Sequence, residues 1–78
     1  MTFQTIEVEA TFAIDGWPNP SALYWAGEAL TVVDVGRRWK DEDGIHMLAR
    51  VQDERVFELH TNGSVWRGRV ISEPPHTA

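Results

Sequence analysis

The chain predicts an all-β domain: a small SH3-like antiparallel barrel of five to six short strands, with an OB-like barrel as the alternative. Three observations carry that prediction. Apolar and polar residues alternate with a period of two over several segments. Turn signals at Gly27, Gly44 and Asn62-Gly63 divide those segments at short intervals. No segment shows a helical period with caps, which places the OB-fold second because it normally inserts a helix. Closure into a barrel removes the exposed edges that so many short strands would otherwise leave.

The first strand is expected over residues 6 to 14, where Ile6, Val8, Ala10, Phe12 and Ile14 alternate with polar residues. Asp15-Gly16-Trp17-Pro18-Asn19-Pro20-Ser21 has two prolines and no period, so it reads as a loop that ends the strand. The stretch from residue 23 to residue 39 reads as a hairpin running into a long, bent strand. Gly27-Glu28 as a type II′ turn sets Trp25 opposite Leu30 and Leu23 opposite Val32, gathering four apolar side chains on one face. The alternative, with Tyr24 opposite Ala29 and Trp25 opposite Glu28, sets an acid against a tryptophan and is rejected as mixing the faces. Beyond Val32 the apolar positions change parity to Val33, Val35 and Trp39, which predicts a β-bulge at Val32 or Val33.

Lys40-Asp41-Glu42-Asp43-Gly44 is a charged turn, expected to be the most solvated tip. The following segments read as a meander. A loop at Asp53-Glu54-Arg55 sets Val51 against Phe57 and Arg50 against Glu58. A type I′ turn at Asn62-Gly63 sets Leu59 against Trp66, Phe57 against Gly68 and Glu58 against Arg67. Glu58 then lies between Arg50 and Arg67 on the outer face. Residues 1 to 72 form one domain, and residues 73 to 78, with two prolines and no pattern, form a flexible C-terminal tail.

Seventy-eight residues bury a small core, hiding about 60% of the unfolded surface. There is no cysteine, so disulfides, thiol chemistry and Cys-based zinc sites are excluded. No stretch has the length and apolarity of a membrane span and the amino terminus lacks a signal-peptide pattern, so a cytoplasmic location is expected. The net charge of −5 is uneven: residues 1 to 36 hold five acids and no Lys or Arg, whereas residues 37 to 78 hold seven acids and all seven basic residues. That distribution argues against a broad nucleic-acid surface and leaves room for a local basic patch.

Four tryptophans in so short a chain are its most conspicuous feature. Trp25 and Trp66 fall on core faces, while Trp17 either plugs one barrel end or is exposed for binding. Trp39 lies among Arg37, Arg38 and Lys40, and Arg67 and Arg69 alternate with Trp66 and Gly68 so that both arginines face outward. Arginines beside aromatic rings are the combination single-strand binders use, and they also serve protein recognition. The candidate binding residues are therefore Trp17, Tyr24, Arg37, Arg38, Trp39, Lys40, Arg67 and Arg69. A charge-balanced solvated face is the competing reading of the two arginine clusters.

No catalytic residue is assigned. Ser21, Ser64 and Ser72 lie in turns or the tail without a nucleophile elbow or triad context. His46 and His60 point outward on neighbouring strands, with His60 opposite Leu48, and read as surface histidines. Two of them without a third ligand make no metal site, and no cofactor is implied.

Leu23-x-Trp25-x-Gly27, Trp39 after the long strand, Val56-Phe57-Glu58-Leu59 and Trp66-x-x-x-Val70, spanning about residues 22 to 70, resemble an uncharacterised family of small bacterial β-domains. Some members of that family are associated with error-prone DNA polymerase systems. The resemblance implies a small β-barrel and supplies no established active site. The expectation is a non-enzymatic binding or accessory module acting on a protein partner. The alternative is a weak nucleic-acid-binding accessory domain linked to DNA repair or error-prone replication, using Arg37, Arg38, Lys40, Arg67 and Arg69.

Overall fold

The alternating segments form six strands in the computed structural model, which describes residues 3 to 72: β1 (Gln4–Phe12), β2 (Pro18–Trp25), β3 (Glu28–Asp41), β4 (Gly44–Val51), β5 (Val56–Thr61) and β6 (Trp66–Ser72). Each pairs antiparallel with the next, and β1 pairs with β6 to close the barrel. The all-β barrel expected from the sequence is therefore the fold. The tail expected at residues 73 to 78 lies outside the described residues.

Leu23, Leu30, Met47, Ala49, Val51, Phe57 and Leu59 fill the interior, with Ile6, Val8, Trp25 and Trp66 packed against them. Trp25 meets Phe57 edge to face at 5.1 Å, the geometry that aligns a ring's positive edge with its neighbour's negative face. Both tryptophans assigned to the core thus belong to it. Phe12 and Ile14 do not, being 59% and 109% exposed, because β1 outruns the barrel core and projects with β2 as a hairpin past it.

Asp15 to Ser21 is not wholly a loop. The chain turns at residues 13 to 17, with Gly16 at φ 86° and the Trp17 N–H donating to Asp15 Oδ1, and β2 begins at Pro18. Prolines lack a donor and are tolerated on a strand whose outer edge is unpaired. That is the case here: β2 pairs with β1 along Pro18, Asn19 and Pro20, but with β3 only from Ala22 onward. Ser21 is the extra residue in a bulge opposite Glu9 and Ala10, and its hydroxyl donates to the Glu9 carbonyl oxygen at 3.2 Å.

The bend in β3 comes from two irregularities. Val33 is extra between the pairs Val32 with Val51 and Asp34 with Arg50, as the parity change predicts. A second irregularity follows at Gly36 and Arg37. The first half of β3 pairs with β2 and the second with β4, so residues 33 to 41 have no strand along their other edge among the described residues.

Three hairpin registers differ from expectation, each by two in the sum of paired residue numbers. At β2 and β3 the turn is Ala26-Gly27, with φ of 51° and 81°, a type I′ pattern. It pairs Trp25 with Glu28, Tyr24 with Ala29 and Leu23 with Leu30, the register rejected above. The faces stay separate because a slide of two residues preserves parity. Glu28 sits at the strand end, where its carboxylate reaches Arg55 at 3.4 Å. At β4 and β5 the Val51 N–H donates to the Arg55 carbonyl and Glu54 takes φ 77°, which pairs Ala49 with Phe57 and His46 with His60. At β5 and β6 the loop spans four residues, because Asn62 Oδ1 accepts from the N–H groups of both Ser64 and Val65. Leu59 therefore faces Gly68, and Glu58 faces Arg69 rather than Arg67.

Candidate functional site

The expected site residues separate into three places. Trp17, in the turn that joins β1 to β2, lies under Arg38 and Lys40, whose charged groups stand 5.4 and 5.2 Å from its ring centroid. Trp17 is half-buried, so it is neither a plug in the core nor a free ring. Arg37 stands 5.1 Å over Trp39 on the other face of β3. These five residues belong to the second half of β3, whose outer edge has no strand among the described residues, and to the hairpin beside it.

Tyr24 is not among them. It pairs with Ala29, nine residues and roughly 30 Å of extended chain from Arg38. Its hydroxyl donates to Glu9 Oε2 at 2.6 Å. That hydrogen bond, then the negative charge of Glu9, raises the phenol above its ordinary value, since ionisation would place two anions together.

Arg67 and Arg69 face outward together, as their alternation predicts, but they differ in their partners. Arg69 donates to Glu58 Oε1 from Nε at 3.0 Å and from Nη2 at 2.7 Å, and its guanidinium lies 4.9 Å over Phe3. The expected position of Glu58 between Arg50 and Arg67 is corrected accordingly, since Arg50 turns to Glu54 at 2.9 Å and to Asp34 at 4.0 Å. Arg67 has neither a carboxylate nor a ring among the described residues.

Sequence reasoning missed an aromatic row that crosses the outer face of β3, β4 and β5 and ends on Phe3, just before β1. Trp39 stacks on His46 at 5.2 Å and 5°, His46 lies 4.7 Å from His60, and His60 lies 6.3 Å from Phe3. His46 is not a surface histidine, because only 13% of its side chain is exposed and neither ring nitrogen has an aligned hydrogen-bond partner. Asp41 Oδ2 stands 3.0 Å from Nε2, out of line with the ring N–H direction, and Glu58 Oε2 stands 3.9 Å from Nδ1. The Asp43 N–H on Asp41, followed by His46, holds the Asp41 carboxyl below its usual range. His60 donates from Nε2 to the Asp43 carbonyl oxygen at 2.9 Å. The signal available in the sequence was the shared outward parity of His46 and His60. What it lacked was the register that sets them opposite each other.

The described residues contain no group of three or more His, Cys, Asp or Glu arranged to hold a metal, and no helix long and apolar enough to cross a membrane. No family model, no curated protein and no solved structure matches this chain. The functional reading therefore rests on the side chains.

Proposed function

We propose that this chain is a non-enzymatic binding module that recognises a protein partner along the unpaired edge of β3. The observation that carries the reading is the composition of that edge. Arg37, Arg38 and Lys40 line it without carboxylate partners among the described residues, each resting on a tryptophan. Phe12 and Ile14 on the adjoining hairpin and Val33 on β3 are exposed beside them.

An open strand edge offers main-chain donors and acceptors to an extended segment, which is how strand addition gains affinity. The cations select its sequence. They repel a second copy of the same edge, which is how natural edges avoid self-pairing, and attract an extended segment bearing Asp or Glu. Exposed apolar side chains at the rim favour a protein surface over a polyphosphate one. The alternative, a nucleic-acid-binding accessory domain, would use Arg37, Arg38, Lys40, Arg67 and Arg69. It is weakened because both outer tryptophans already carry cations, and stacking bases need open ring faces. Arg69 is also committed to Glu58.

An amide-resolved NMR titration separates the two. A peptide alternating Glu and Val is expected to shift the amides of residues 33 to 41 saturably, with modest salt dependence. Saturable shifts at residues 37 to 40 and 66 to 69 with a single-stranded oligonucleotide, weakening steeply with salt, together with no response to the peptide, would overturn the reading.

A further inference from the structure

Every basic side chain but one is occupied among the described residues. Arg50, Arg55 and Arg69 hold carboxylates, while Arg37, Arg38 and Lys40 rest on tryptophans. Arg67 is the exception. Of the basic side chains without a carboxylate among the described residues, Arg37, Arg38 and Lys40 have a tryptophan and Arg67 has neither. It does not stand alone. Arg67 lines a depression of about 380 Å³ with Phe3, Asp43, His46, His60 and Asn62.

The donors there are fixed by bonds already made. Asn62 Oδ1 accepts two backbone N–H groups, which leaves its Nδ2 donors unused. His60 Nε2–H donates to the Asp43 carbonyl oxygen, which makes Nδ1 the acceptor of that tautomer, so the ring borders the depression without donating to it. His60 is the direct cross-strand neighbour of both His46 and Arg67, so two imidazoles and a guanidinium form a row across β4, β5 and β6. A guanidinium fork and an amide lining one concavity offer N–H donors suited to the oxygens of a tetrahedral oxyanion. Phe3 and the imidazole faces give the same concavity an apolar wall.

We propose that this depression is a binding site for the phosphoryl group of a phosphomonoester, with Arg67 as the principal contact, Asn62 Nδ2 as the supporting donor, and Phe3 and the His60 ring against the organic part. Asp43 is the one carboxylate among the described lining residues, with Asp41 and Glu58 behind it at His46, so it opposes a dianion most directly. The site is distinct from the edge of β3, because none of its residues lines that edge.

The test is an NMR titration of the full chain with inorganic phosphate and with phenyl phosphate, at constant ionic strength maintained with chloride. Saturable shifts are expected at His60, Asn62 and Arg67 and not at residues 37 to 40, with phenyl phosphate binding several-fold tighter than inorganic phosphate. Arg67→Gln is expected to weaken binding at least tenfold, Arg67→Lys to restore part of it, and Asp43→Asn to tighten it. Arg67 and Asp43 are exposed, so these variants keep the fold. Shifts spread over all the arginines, or an Arg67→Gln affinity equal to that of the parent, would show an ion atmosphere only and overturn the proposal. Phenyl phosphate binding no tighter than inorganic phosphate would overturn the monoester assignment. Neither result bears on the peptide titration at β3, so the two readings fail independently.

Discussion

Replacing Gly68 by alanine tests how the barrel closes. Gly68 is buried and lies between Gln4 of β1 and Leu59 of β5. A Cβ at this position would stand 2.8 Å from Ile6 Cδ1, closer than carbon atoms tolerate, and 3.2 Å from Leu59 Cδ2, a tight contact that requires a small shift. The backbone is outside the left-handed region, so the effect is steric rather than conformational. Overpacking by one methyl costs about 1–3 kcal/mol, while the reduced freedom of the unfolded chain offsets about 0.4–1 kcal/mol. A net loss of about 1–2 kcal/mol is expected, a large share of the few kcal/mol available to so small a domain. In urea denaturation this lowers the midpoint by about 1 M.

The clash has an address, which makes the argument refutable. Ile6→Val removes the nearer methyl and by itself costs about 0.5–1.5 kcal/mol. Combined with Gly68→Ala it should cost less than the sum of the two, by about 0.5 kcal/mol or more, because the second change relieves the first. Strict additivity, or an unchanged midpoint for Gly68→Ala alone, would mean that β6 does not lie against Ile6 and that β1 and β6 close differently.

Three further outcomes are expected. Ala26→Asn should raise stability by about 0.5–1 kcal/mol in the same urea assay, since asparagine accepts the left-handed φ of 51° that alanine tolerates poorly, and no gain would place the turn elsewhere. Tyr24 is the single tyrosine, so ultraviolet titration of phenolate reports on it alone; its midpoint should lie above about 10 and fall in Glu9→Gln, and an unchanged midpoint would remove the hydrogen bond to Glu9. Asp41 and Asp53 have lowered folded pKa values, Asp41 through the Asp43 N–H and His46, Asp53 through Arg55. A lowered folded value gives stability that is present above the unfolded carboxylate range near 4 and is lost as pH falls through the folded value. Asp41→Asn and Asp53→Asn should therefore flatten the loss of stability below about pH 4, and an acid limb as steep as the parent's would refute the assignment.

The faces of this fold were legible, and the site was not. Alternation placed Leu23, Leu30, Phe57 and Leu59 inside and Arg67, Arg69, His46 and His60 outside, because burying one face of a strand forces period two. Trp17 escaped the pattern, since its place under Arg38 and Lys40 depends on a hairpin projecting past the barrel and meeting an overhanging strand. Nothing local encodes that meeting. Phe12 and Ile14 misled for the converse reason: they continue the apolar alternation of β1 beyond the point where there is a core to receive it.

The registers explain why the side chains could be assigned to faces without being assigned to one another. A slide of two residues returns every side chain to its own face while exchanging its partner. Glu58 exchanges Arg67 for Arg69, both basic and both outward, and His60 exchanges Leu48 for His46. Hydrophobic pattern is blind to such a slide, so register falls to the turns, and turns are decided by a few atoms. Ala26 accepting a left-handed conformation moves one hairpin by a position, and Asn62 Oδ1 capturing two N–H groups lengthens another loop to four residues. A site built from cross-strand neighbours inherits that dependence. Releasing Arg67 from Glu58 and setting His60 between Arg67 and His46 are consequences of these two-residue slides, and together they leave a guanidinium and two imidazoles lining a concavity with no carboxylate bound to the guanidinium among the described residues.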